Sequence, residues 1–449
     1  MKRKLTIIGG GITGLSAAYL AVKDGWKVTV LEGSSQVGGL MSTFRIGGNR
    51  LERYYHHHFM NDAELLWLLK ELNIEDQLEF RKTTMGIFRN NRVFDFNSPA
   101  DLLQFTPMKP IDKARFIISS LYLGKLAKWQ KWESVSALEW FYKYAGRNAT
   151  DSVWRPMLGI KFGPYASSVP VAWMVGRLKQ RLNSRKGTEE RLGYLKGSLQ
   201  TLTDKLTARL RELGVDILLK AKVEKLSIIQ NRLTGVKTAQ GVFSDGIFLA
   251  TLPIPHLVSM LRDDAPVYAK ELSDVEYIEA VCTVLELDRQ LSHIYWLNVA
   301  DPGFPFGGII EHTNFIPPDE YNGSHIVYLS RYYEKNDSLA KASKKEILDR
   351  MIAQLNRINP QFSPKWIKNA YVFRSNTAAT VCGLNFSSRV PDCKTPITNL
   401  FIVNMSHIYP DERSCNNSIR TAAQACRKIG VDSSMVPFGT SLSGQIGMD

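Results

Sequence analysis

Apolar residues in the first part of the chain follow the spacing of a strand, a helix and a second strand. Leu5–Ile8 is a short apolar run, long enough for a buried strand, and Leu15–Ala21 follows it as an apolar helix. Lys27–Leu31 is then a second strand-like run. Apolar runs of strand length that alternate with helical segments are typical of α/β folds. The pattern therefore predicts an α/β fold that opens on a strand–helix–strand unit.

Three glycines lie between the first strand and the helix, at the spacing G-x-G-x-x-G. Gly9 allows a tight turn, Gly11 lets a pyrophosphate approach the backbone, and Gly14 lets the helix pack on the strand. The helix N-terminus offers free N–H groups and partial positive charge to phosphates. Glu32 ends the second strand, where it can accept hydrogen bonds from ribose hydroxyls and would repel a 2′-phosphate. We therefore predict a dinucleotide site unsuited to NADP; a glycine-rich turn without a ligand is the alternative.

The motif continues into a second glycine pair, Gly38 and Gly39. The stretch Glu32–Thr43 resembles the extension found in FAD enzymes of the amine oxidase, protoporphyrinogen oxidase and phytoene desaturase superfamily. In that group the pair lies beside the ribose and diphosphate of FAD, so the resemblance favours FAD over NAD. Leu40 departs from the pattern, since many members have Arg there. The resemblance implies cofactor contacts from Gly9, Gly11, Ile12, Thr13, Gly14, Glu32, Gly33, Gly38, Gly39, Leu40 and Met41.

The end of the chain resembles the carboxy-terminal FAD segment of the same superfamily. Asn399–Val403 has the pattern of a strand and leads through the polar turn Tyr409–Asn417 into a predicted helix, Ser418–Ile429. The resemblance implies that the turn contacts the ribityl and pyrophosphate groups, with Asp411 and Asn416 as candidates. The helix N-terminus would face N1 and O2 of the flavin, where its positive end stabilises the negative charge of reduced flavin. A helix N-cap turn without a ligand is the alternative for Asp411.

Three consecutive histidines, His56–His58, follow an aromatic pair. Neighbouring residues of a strand point to opposite faces, so His56 and His58 could share one face. No acidic or cysteine ligand lies at a useful spacing, so we expect no metal site. Structural packing is one interpretation of this segment. Its similarity to galactopyranose mutases and their oxidase relatives implies another, in which His56 or His57 lies near the isoalloxazine.

The middle of the chain is basic and has a helical pattern. Residues 98–196 hold 17 Lys and Arg against 7 Asp and Glu, within a chain whose net charge is +14. Ser98 before Pro99 predicts a helix start. Ile111–Trp132 is predicted as one helix with an imperfect apolar face, either an ordinary surface helix or one lying on anionic lipid. Arg177–Arg191 is a candidate mobile loop. The charge favours an anionic membrane surface or an anionic substrate as partner, and no recognition motif supports nucleic acid.

The second half of the chain alternates strands with helices. A small meander is predicted at Lys222–Ile229, Leu233–Thr238 and Gly246–Ala250. Within it the resemblance implies that Val223 contacts the adenine through its backbone. A substrate sheet with one helix is predicted at Cys282–Leu287, Ile326–Tyr332, Lys344–Ile358 and Ala370–Phe373. Its candidate lining residues are Arg331, Tyr332, Tyr333 and Arg374. Its aromatic residues, which suit a planar or apolar substrate, are Tyr328, Tyr332, Tyr333, Tyr371 and Phe373.

We therefore predict a Rossmann-like FAD-binding domain in three parts, with an inserted helical lobe and a mixed-sheet substrate domain. Five cysteines without a C-x-x-C spacing indicate free thiols in a reducing compartment. No run of 18 apolar residues occurs, so we expect a cytoplasmic protein, with peripheral attachment to the inner face of the membrane as an option. The predicted segments are 1–88, 197–262 and 396–430 for the FAD domain, 89–196 for the lobe, 263–395 for the substrate sheet and 431–449 for a flexible tail.

Two enzymatic hypotheses follow from the resemblance. The stretches Tyr54–Phe59, Arg155–Gly163 and Tyr409–Asn417 look similar to protoporphyrinogen-oxidase-like proteins of bacteria. The first hypothesis is thus an FAD-dependent oxidoreductase, in which a small organic substrate gives a hydride or equivalent to flavin N5 and an unidentified acceptor reoxidises the flavin. Candidate bases are His57, Lys161 and Tyr332. The second is a galactopyranose-mutase-like isomerase acting on a nucleotide sugar. A third, non-catalytic hypothesis is an FAD-binding or membrane-docking protein.

Overall fold

The computed structural model describes residues 2–186 and 189–439. Its strands, in chain order, are β1 Lys4–Ile8, β2 Lys27–Leu31, β3 Thr43–Ile46, β4 Asn49–Glu52, β5 His58–Phe59, β6 Leu78–Lys82, β7 Met85–Arg89, β8 Arg92–Asp95, β9 Arg185–Lys186, β10 Glu189–Leu195, β11 Asp216–Leu218, β12 Val223–Ile229, β13 Arg232–Thr238, β14 Gly241–Phe243, β15 Ile247–Ala250, β16 Tyr277–Leu287, β17 Trp296–Val299, β18 Gly308–Glu311, β19 His325–Tyr333, β20 Ile367–Thr380 and β21 Leu400–Ile402.

The α-helices connect and flank these strands. They are α1 Ile12–Lys23, α2 Ala63–Glu71, α3 Pro99–Gln104, α4 Pro110–Leu121, α5 Ala137–Tyr144, α6 Arg147–Ala149, α7 Arg155–Phe162, α8 Val171–Asn183, α9 Leu199–Glu212, α10 Ile254–Leu261, α11 Pro266–Leu272, α12 Ser338–Lys341, α13 Lys344–Ile352, α14 Leu355–Ile358 and α15 Cys415–Ile429.

A five-stranded parallel sheet is assembled from three separate segments of the chain. Its strand order is β11-β2-β1-β15-β21, and every neighbouring pair is parallel. The strands β1 and β15 are buried almost throughout, as their apolar sequences require. Helices α1 and α15 pack against each other, which brings the amino-terminal and carboxy-terminal segments together. This sheet confirms the predicted α/β class and its Rossmann-like arrangement.

A seven-stranded mixed sheet forms the second layer of the molecule, in the order β20-β16-β19-β18-β17-β7-β8. All eleven residues of β16 are buried, because β19 and β20 pair with it on either side. The hairpin β7–β8 joins this sheet through parallel pairing of β7 with β17. The predicted boundary between residues 88 and 89 falls inside that hairpin.

The basic stretch Arg177–Arg191 is not the loop that we predicted from its composition. Helix α8 continues to Asn183, and β10 begins at Glu189 and pairs with β5 and β6. Gly187 and Thr188 lie outside the described residues. The prediction was wrong because the basic side chains of α8 pair with buried acids inside the protein, so they do not mark a solvated segment.

The predicted single helix Ile111–Trp132 is interrupted. Helix α4 ends at Leu121, a π-helical turn covers Tyr122–Leu126, and a 3-10 turn covers Trp129–Trp132. The interruption coincides with a close approach to α8, because a Cβ on Gly124 would lie only 2.3 Å from Leu182 Cδ1. The segment therefore changes its helix type where it packs closely on α8, although its apolar spacing alone predicts one continuous helix.

Two further predictions were wrong in extent. The helix predicted at Lys344–Ile358 is divided into α13 and α14. The predicted flexible tail is partly ordered, because Val431 and Val436 are each 2% exposed and pack in the same core as α1. These two valines are part of the core, although the sequence from Val431 onwards has no periodic apolar pattern. Residues 440–449 lie outside the described part of the chain.

Candidate functional site

The turn between β1 and α1 has the geometry that its glycines predict. Gly9 has φ +114°, and a Cβ on Gly14 would lie 2.0 Å from the carbonyl oxygen of Gly9, so only glycine allows this helix to approach this strand. Gly11 differs, since among the described residues no atom beyond its immediate chain neighbours lies within 4 Å of the position of its Cβ. Ile12 and Thr13 form the first turn of α1. The backbone at Gly11 is thus open to a ligand.

Glu32 holds the neighbouring loops together. Its carboxylate accepts hydrogen bonds from the backbone N–H of Gly10 at 2.8 Å and of Ser34 at 2.7 Å. The backbone of Ala221 donates to the carbonyl oxygen of Glu32 at 2.8 Å, which places Val223, the first residue of β12, close by in the chain. A Cβ on Gly33 would lie 3.4 Å from Lys222. The residues predicted for the adenosine end of the cofactor are therefore brought to one place.

The second glycine pair lies against the first. Gly38 donates its backbone N–H to the carbonyl oxygen of Gly10 at 2.8 Å, and Gly38 pairs with Gly11 in a parallel bridge. Gly39, Leu40 and Met41 form a 3-10 turn. Met41 Sδ lies 3.3 Å from the Sγ of Cys415, the first residue of α15. This contact brings the second glycine pair beside the N-terminus of α15.

The N-terminus of α15 starts three residues earlier than predicted. Ser414 is its N-cap and accepts from the backbone of Asn417 at 3.0 Å. Asn416 is 3% exposed, and its Oδ1 accepts the backbone N–H of Leu65 of α2 at 3.0 Å. The Asp411 carboxylate lies 3.7 Å from Arg420. Asn416 therefore uses its oxygen to join two helices, which limits what it could offer a cofactor.

These elements fit FAD. The open backbone at Gly11, the free N–H groups at the start of α1 and the carboxylate of Glu32 match a diphosphate followed by a ribose. The N-terminus of α15 adds a second positive helix end. Leu40 carries no charge that could pair with a phosphate.

Charged side chains from α7, α8, β10 and the turn before α15 form a cluster. We call Lys161, Arg177, Arg181, Glu190, Glu412 and Arg413 the ionic cluster. Glu412 is an ion-pair partner of both Lys161 and Arg177, the latter at 3.7 Å. Arg181 lies 3.4 Å from Glu190. Burial raises the pKa of Glu412, but Lys161 and Arg177 outweigh that effect and hold the pKa below its ordinary value. Glu412 is therefore charged at neutral pH.

Tyr332 connects the mixed sheet to the ionic cluster. Its hydroxyl accepts a hydrogen bond from Arg413 Nη2 at 2.6 Å, and Lys161 Nζ lies 5.9 Å from its ring centroid. Burial raises the pKa of Tyr332, but the charges of Arg413 and Lys161 outweigh burial and lower the pKa from its usual value. A tyrosine in this environment releases its proton more readily than an exposed one.

The histidine segment His56–His58 lies near Arg177 and Arg181 of the ionic cluster. His56 Nδ1 lies 2.6 Å from the carbonyl oxygen of Tyr54, and the His57 ring lies 5.6 Å from that of Trp296. Burial lowers the pKa of His56 to about 4. Burial, followed by the charges of Arg181 and Arg177, holds the pKa of His57 well below its usual range. His57 is thus neutral at pH 7, and its surroundings disfavour its protonation. Among the described residues, no group of His, Cys, Asp and Glu could hold a metal ion.

The structure places two predicted lining arginines elsewhere. Successive residues of β19 point to opposite faces, so Tyr332 faces the ionic cluster while Arg331 and Tyr333 face away. Arg331 pairs with Asp337 at 2.8 Å, and Arg374 donates to the backbone carbonyl of Leu339 at 2.9 Å. Neither arginine therefore lies with Tyr332, which corrects their prediction as lining residues.

Five members of the ionic cluster were missed as site residues in the sequence: Arg177, Arg181, Glu190, Glu412 and Arg413. Arg177 and Arg181 are four residues apart, which places them on one face of a helix. That spacing was the available signal, but it is informative only once the segment is known to be helical. Glu412 and Arg413 lie inside the turn predicted to contact FAD, beside Asp411.

Comparisons with known proteins agree with this geometry. A model of the family described as flavin containing amine oxidoreductase matches residues 12–410. The chain is 23% identical over 332 residues to a 1-hydroxycarotenoid 3,4-desaturase of Flavobacterium sp. (strain P99-3), covering 66% of this chain and 63% of that protein. It is 21% identical to the mitochondrial protoporphyrinogen oxidase of Nicotiana tabacum, covering 82% of this chain and 84% of that protein.

Solved structures show the same fold. An oxidoreductase from Methanosarcina mazei superposes with a TM-score of 0.75 at 15% identity, covering 94% of this chain and 100% of that chain. A reduced UDP-galactopyranose mutase superposes with a TM-score of 0.70 at 12% identity, covering 97% of this chain and 96% of that one. Among the described residues, no helix combines the length and apolar character needed to cross a bilayer.

Proposed function

This chain belongs to the flavin containing amine oxidoreductase family, and on that premise we propose that it oxidises a small organic substrate held between the mixed sheet and the ionic cluster. It is an FAD-dependent oxidoreductase. When bound, FAD takes up a hydride or its equivalent and passes the electrons to an acceptor. The residues of the chain position the substrate, exclude water and move protons.

The observation that carries this proposal is the convergence of three candidate bases from separate segments. Lys161 comes from α7 and Tyr332 from β19, and both contact members of the ionic cluster. His57 comes from the segment before β5, where the charges of Arg181 and Arg177 help to lower its pKa. Lys161 pairs with Glu412 and so fixes the turn before α15. We propose Tyr332 as the group that accepts a proton from the substrate, because the charges of Arg413 and Lys161 lower its pKa and favour its ionised form. His57 is the weaker candidate, because burial and the charges of Arg181 and Arg177 lower its pKa and disfavour its protonation.

Aromatic side chains lie along the proposed substrate region, between the mixed sheet and the ionic cluster. The ring centroids of Tyr55 and Trp296 lie 4.9 Å apart at nearly right angles, and Tyr55 also contacts Tyr328. Lys161 lies 5.3 Å from the ring of Trp173. Aromatic walls with a few polar groups suit a flat, largely apolar substrate. The separate pyrrole rings of a porphyrinogen could pack on such walls, which supports a protoporphyrinogen-oxidase-like activity.

The test is anaerobic reduction of the bound flavin. We expect one class among porphyrinogens, polyenes and amines to bleach the absorbance of oxidised flavin, and an added acceptor to restore it. The mutase-like alternative predicts a different result: only dithionite-reduced protein converts a nucleotide sugar to an isomer, and no acceptor is consumed. That outcome would replace the oxidoreductase proposal. The arginines on which the alternative drew, Arg331 and Arg374, face away from Tyr332.

We also propose that the helical lobe docks on an anionic membrane surface. Helix α4 presents an apolar stripe to solvent, since Ile111 and Ile118 are each 68% exposed and Leu121 is 48% exposed, while Asp112 and Lys113 on the other side are buried. Leu103 and Leu126 extend the stripe at more than 70% exposure. Exposed lysines flank it at Lys109, Lys125, Lys128 and Lys131. An apolar stripe bordered by cations matches an anionic bilayer, which offers both chemistries.

Substitution of the stripe tests membrane docking. We expect the wild-type protein to co-sediment with anionic vesicles far better than with neutral ones, and to be released by salt. Ile118→Asp with Leu121→Asp should weaken vesicle binding about tenfold or more, because two apolar side chains no longer enter the bilayer. Val267→Asp is the matched control, since Val267 is 74% exposed on α11, outside the lobe. The proposal would be rejected if the wild-type protein bound neutral and anionic vesicles equally well. It would also be rejected if the stripe were found to form a contact between two copies of the chain.

A further inference from the structure

A groove with a volume of about 490 Å³ opens on the face of the mixed sheet opposite Tyr332. The side chain of Arg331 lines it, and neighbouring residues of a strand point to opposite faces, so β19 separates the groove from Tyr332. Its lining residues include Phe304, Pro305, Arg331, Arg350, Ala353 and Gln354. A concave space of this volume is within the range of small-molecule sites.

The polar side chains that line the groove offer hydrogen-bond donors. Arg331 and Arg350 supply guanidinium groups, each with five N–H donors and no acceptor. Gln354 uses its side-chain oxygen to accept from Arg357 Nη1 at 3.2 Å, so its NH2 group is what it can offer a ligand. Among the described residues, no Asp or Glu lines the groove. This lining suits a ligand that brings acceptor oxygens.

Asp337 and Ser338 hold the two arginines in one network. Asp337 Oδ2 accepts from Arg331 Nη2 at 2.8 Å, and Asp337 Oδ1 accepts from the Ser338 hydroxyl at 3.4 Å. The same hydroxyl accepts from Arg350 Nη1 at 3.3 Å. Each guanidinium uses one nitrogen in these contacts and keeps its other N–H groups for a ligand. Because both side chains are already positioned, less conformational entropy is lost when an anion binds.

The acids near the groove leave two of its arginines without an ion pair. Asp337 pairs with Arg331, but within the part of the chain that the structure describes neither Arg350 nor Arg357 has a carboxylate partner. Arg357 instead lies 4.0 Å from the ring centroid of Phe304.

Glu346, one helical turn before Arg350, is engaged elsewhere. Its carboxylate accepts the backbone N–H of Ser343 at 2.6 Å in the capping box of α13. Arg350 therefore keeps its charge available to a ligand at the groove.

We propose that this groove binds a small organic anion, whose phosphate or carboxylate contacts Arg331 and Arg350. Guanidinium groups bind either anion through paired N–H donors. The apolar part of the ligand would pack on Phe304, Pro305 and Ala353, which line the same groove. Because Arg331 and Tyr332 point to opposite faces of β19, this ligand would be bound at the same time as a substrate in the region at Tyr332.

Three probes that share one ring test the proposal by calorimetric titration of the FAD-loaded protein. We expect phenyl phosphate or benzoate to bind with a Kd about tenfold or more below that of benzamide. Added salt should weaken anion binding, and the visible flavin spectrum should stay unchanged because the groove lies on the other face of the sheet. The two anions separate a phosphate site from a carboxylate site. Benzamide bound as tightly as both anions, or no measurable binding of either anion, would overturn the proposal.

Variants assign the binding to the groove. Arg350→Gln and Arg331→Gln should each weaken anion binding about tenfold and leave benzamide binding unchanged, whereas Arg350→Lys should retain part of the preference. Arg350 is exposed, so its replacement leaves the fold intact even where Arg331→Gln is less stable. Lys345→Gln is the matched control, because it removes one positive charge from the same helix at a side chain that is 85% exposed and outside the groove. Anion binding that persists in both glutamine variants, or that falls equally in Lys345→Gln, would overturn the assignment.

Discussion

Gly11→Val should abolish FAD binding and leave the protein folded. Gly11 has φ −74°, which any residue adopts, and no described atom beyond its immediate chain neighbours lies within 4 Å of its Cβ position. The protein itself therefore tolerates valine, and the added side chain projects into the space where the diphosphate must approach the backbone. We expect flavin content to fall from near-stoichiometric to near zero, with an unchanged far-UV circular dichroism spectrum. A folded variant that keeps full flavin content would show that the cofactor lies elsewhere.

Gly14→Ala provides the contrast within the same motif. Its Cβ would lie 2.0 Å from the carbonyl oxygen of Gly9, inside the protein, so α1 could not keep its place on β1. We expect loss of soluble, folded protein in addition to loss of flavin. The pair of variants thus separates a glycine needed for a ligand from a glycine needed for packing. Similar behaviour of both variants would contradict this assignment.

Arg420→Met should destabilise the protein by about 3–5 kcal/mol, because it leaves a buried carboxylate without its cation. Arg420 of α15 is 3% exposed and pairs with Glu64 of α2, which is 0% exposed. The same guanidinium lies 3.7 Å from Asp411, so its removal also takes one neighbouring cation away from that carboxylate. The change is measured as the shift in the midpoint and free energy of denaturant unfolding.

An exposed ion pair is the control for this stability change. Lys345 pairs with Asp349 on α13, where the two side chains are 85% and 59% exposed. Lys345→Met should change the free energy of unfolding by less than about 1 kcal/mol. Replacing both buried partners, Glu64→Leu with Arg420→Met, should recover much of the lost stability, because neither charge is then buried alone. Equal effects of Arg420→Met and Lys345→Met would contradict the buried-pair explanation.

Some elements could be predicted closely from the sequence because their causes are local. Strand β2 has the predicted bounds, Lys27–Leu31. Ser98 caps α3 with a reciprocal capping box formed with Asp101, three residues along the chain. In the glycine motif, each glycine affects either residues within a few positions along the chain or the approach of a ligand to its own backbone. Spacing of residue types is enough to predict such features.

Other elements depended on contacts between distant segments. The segment 111–132 has helical spacing throughout, but close packing of Gly124 on Leu182 coincides with its interruption. The apolar face of α4 was expected from its periodicity, and the sequence left open whether it packs on the protein or on lipid. Only the position of α4 at the edge of the lobe leaves Ile111 and Ile118 in solvent.

The sequence by itself determined the candidate cofactor site of this protein, because the glycine motif and Glu32 carry their chemistry in their own spacing. The tertiary structure alone decided the ionic cluster. Lys161, Arg181 and Glu412 are separated by up to 251 positions and form one ionic cluster only when α7, α8 and the turn before α15 pack together. On β19, the direction of the strand decides that Tyr332 joins the cluster and Arg331 does not. Charge pairing across such distances follows from packing, for which a linear pattern carries no signal.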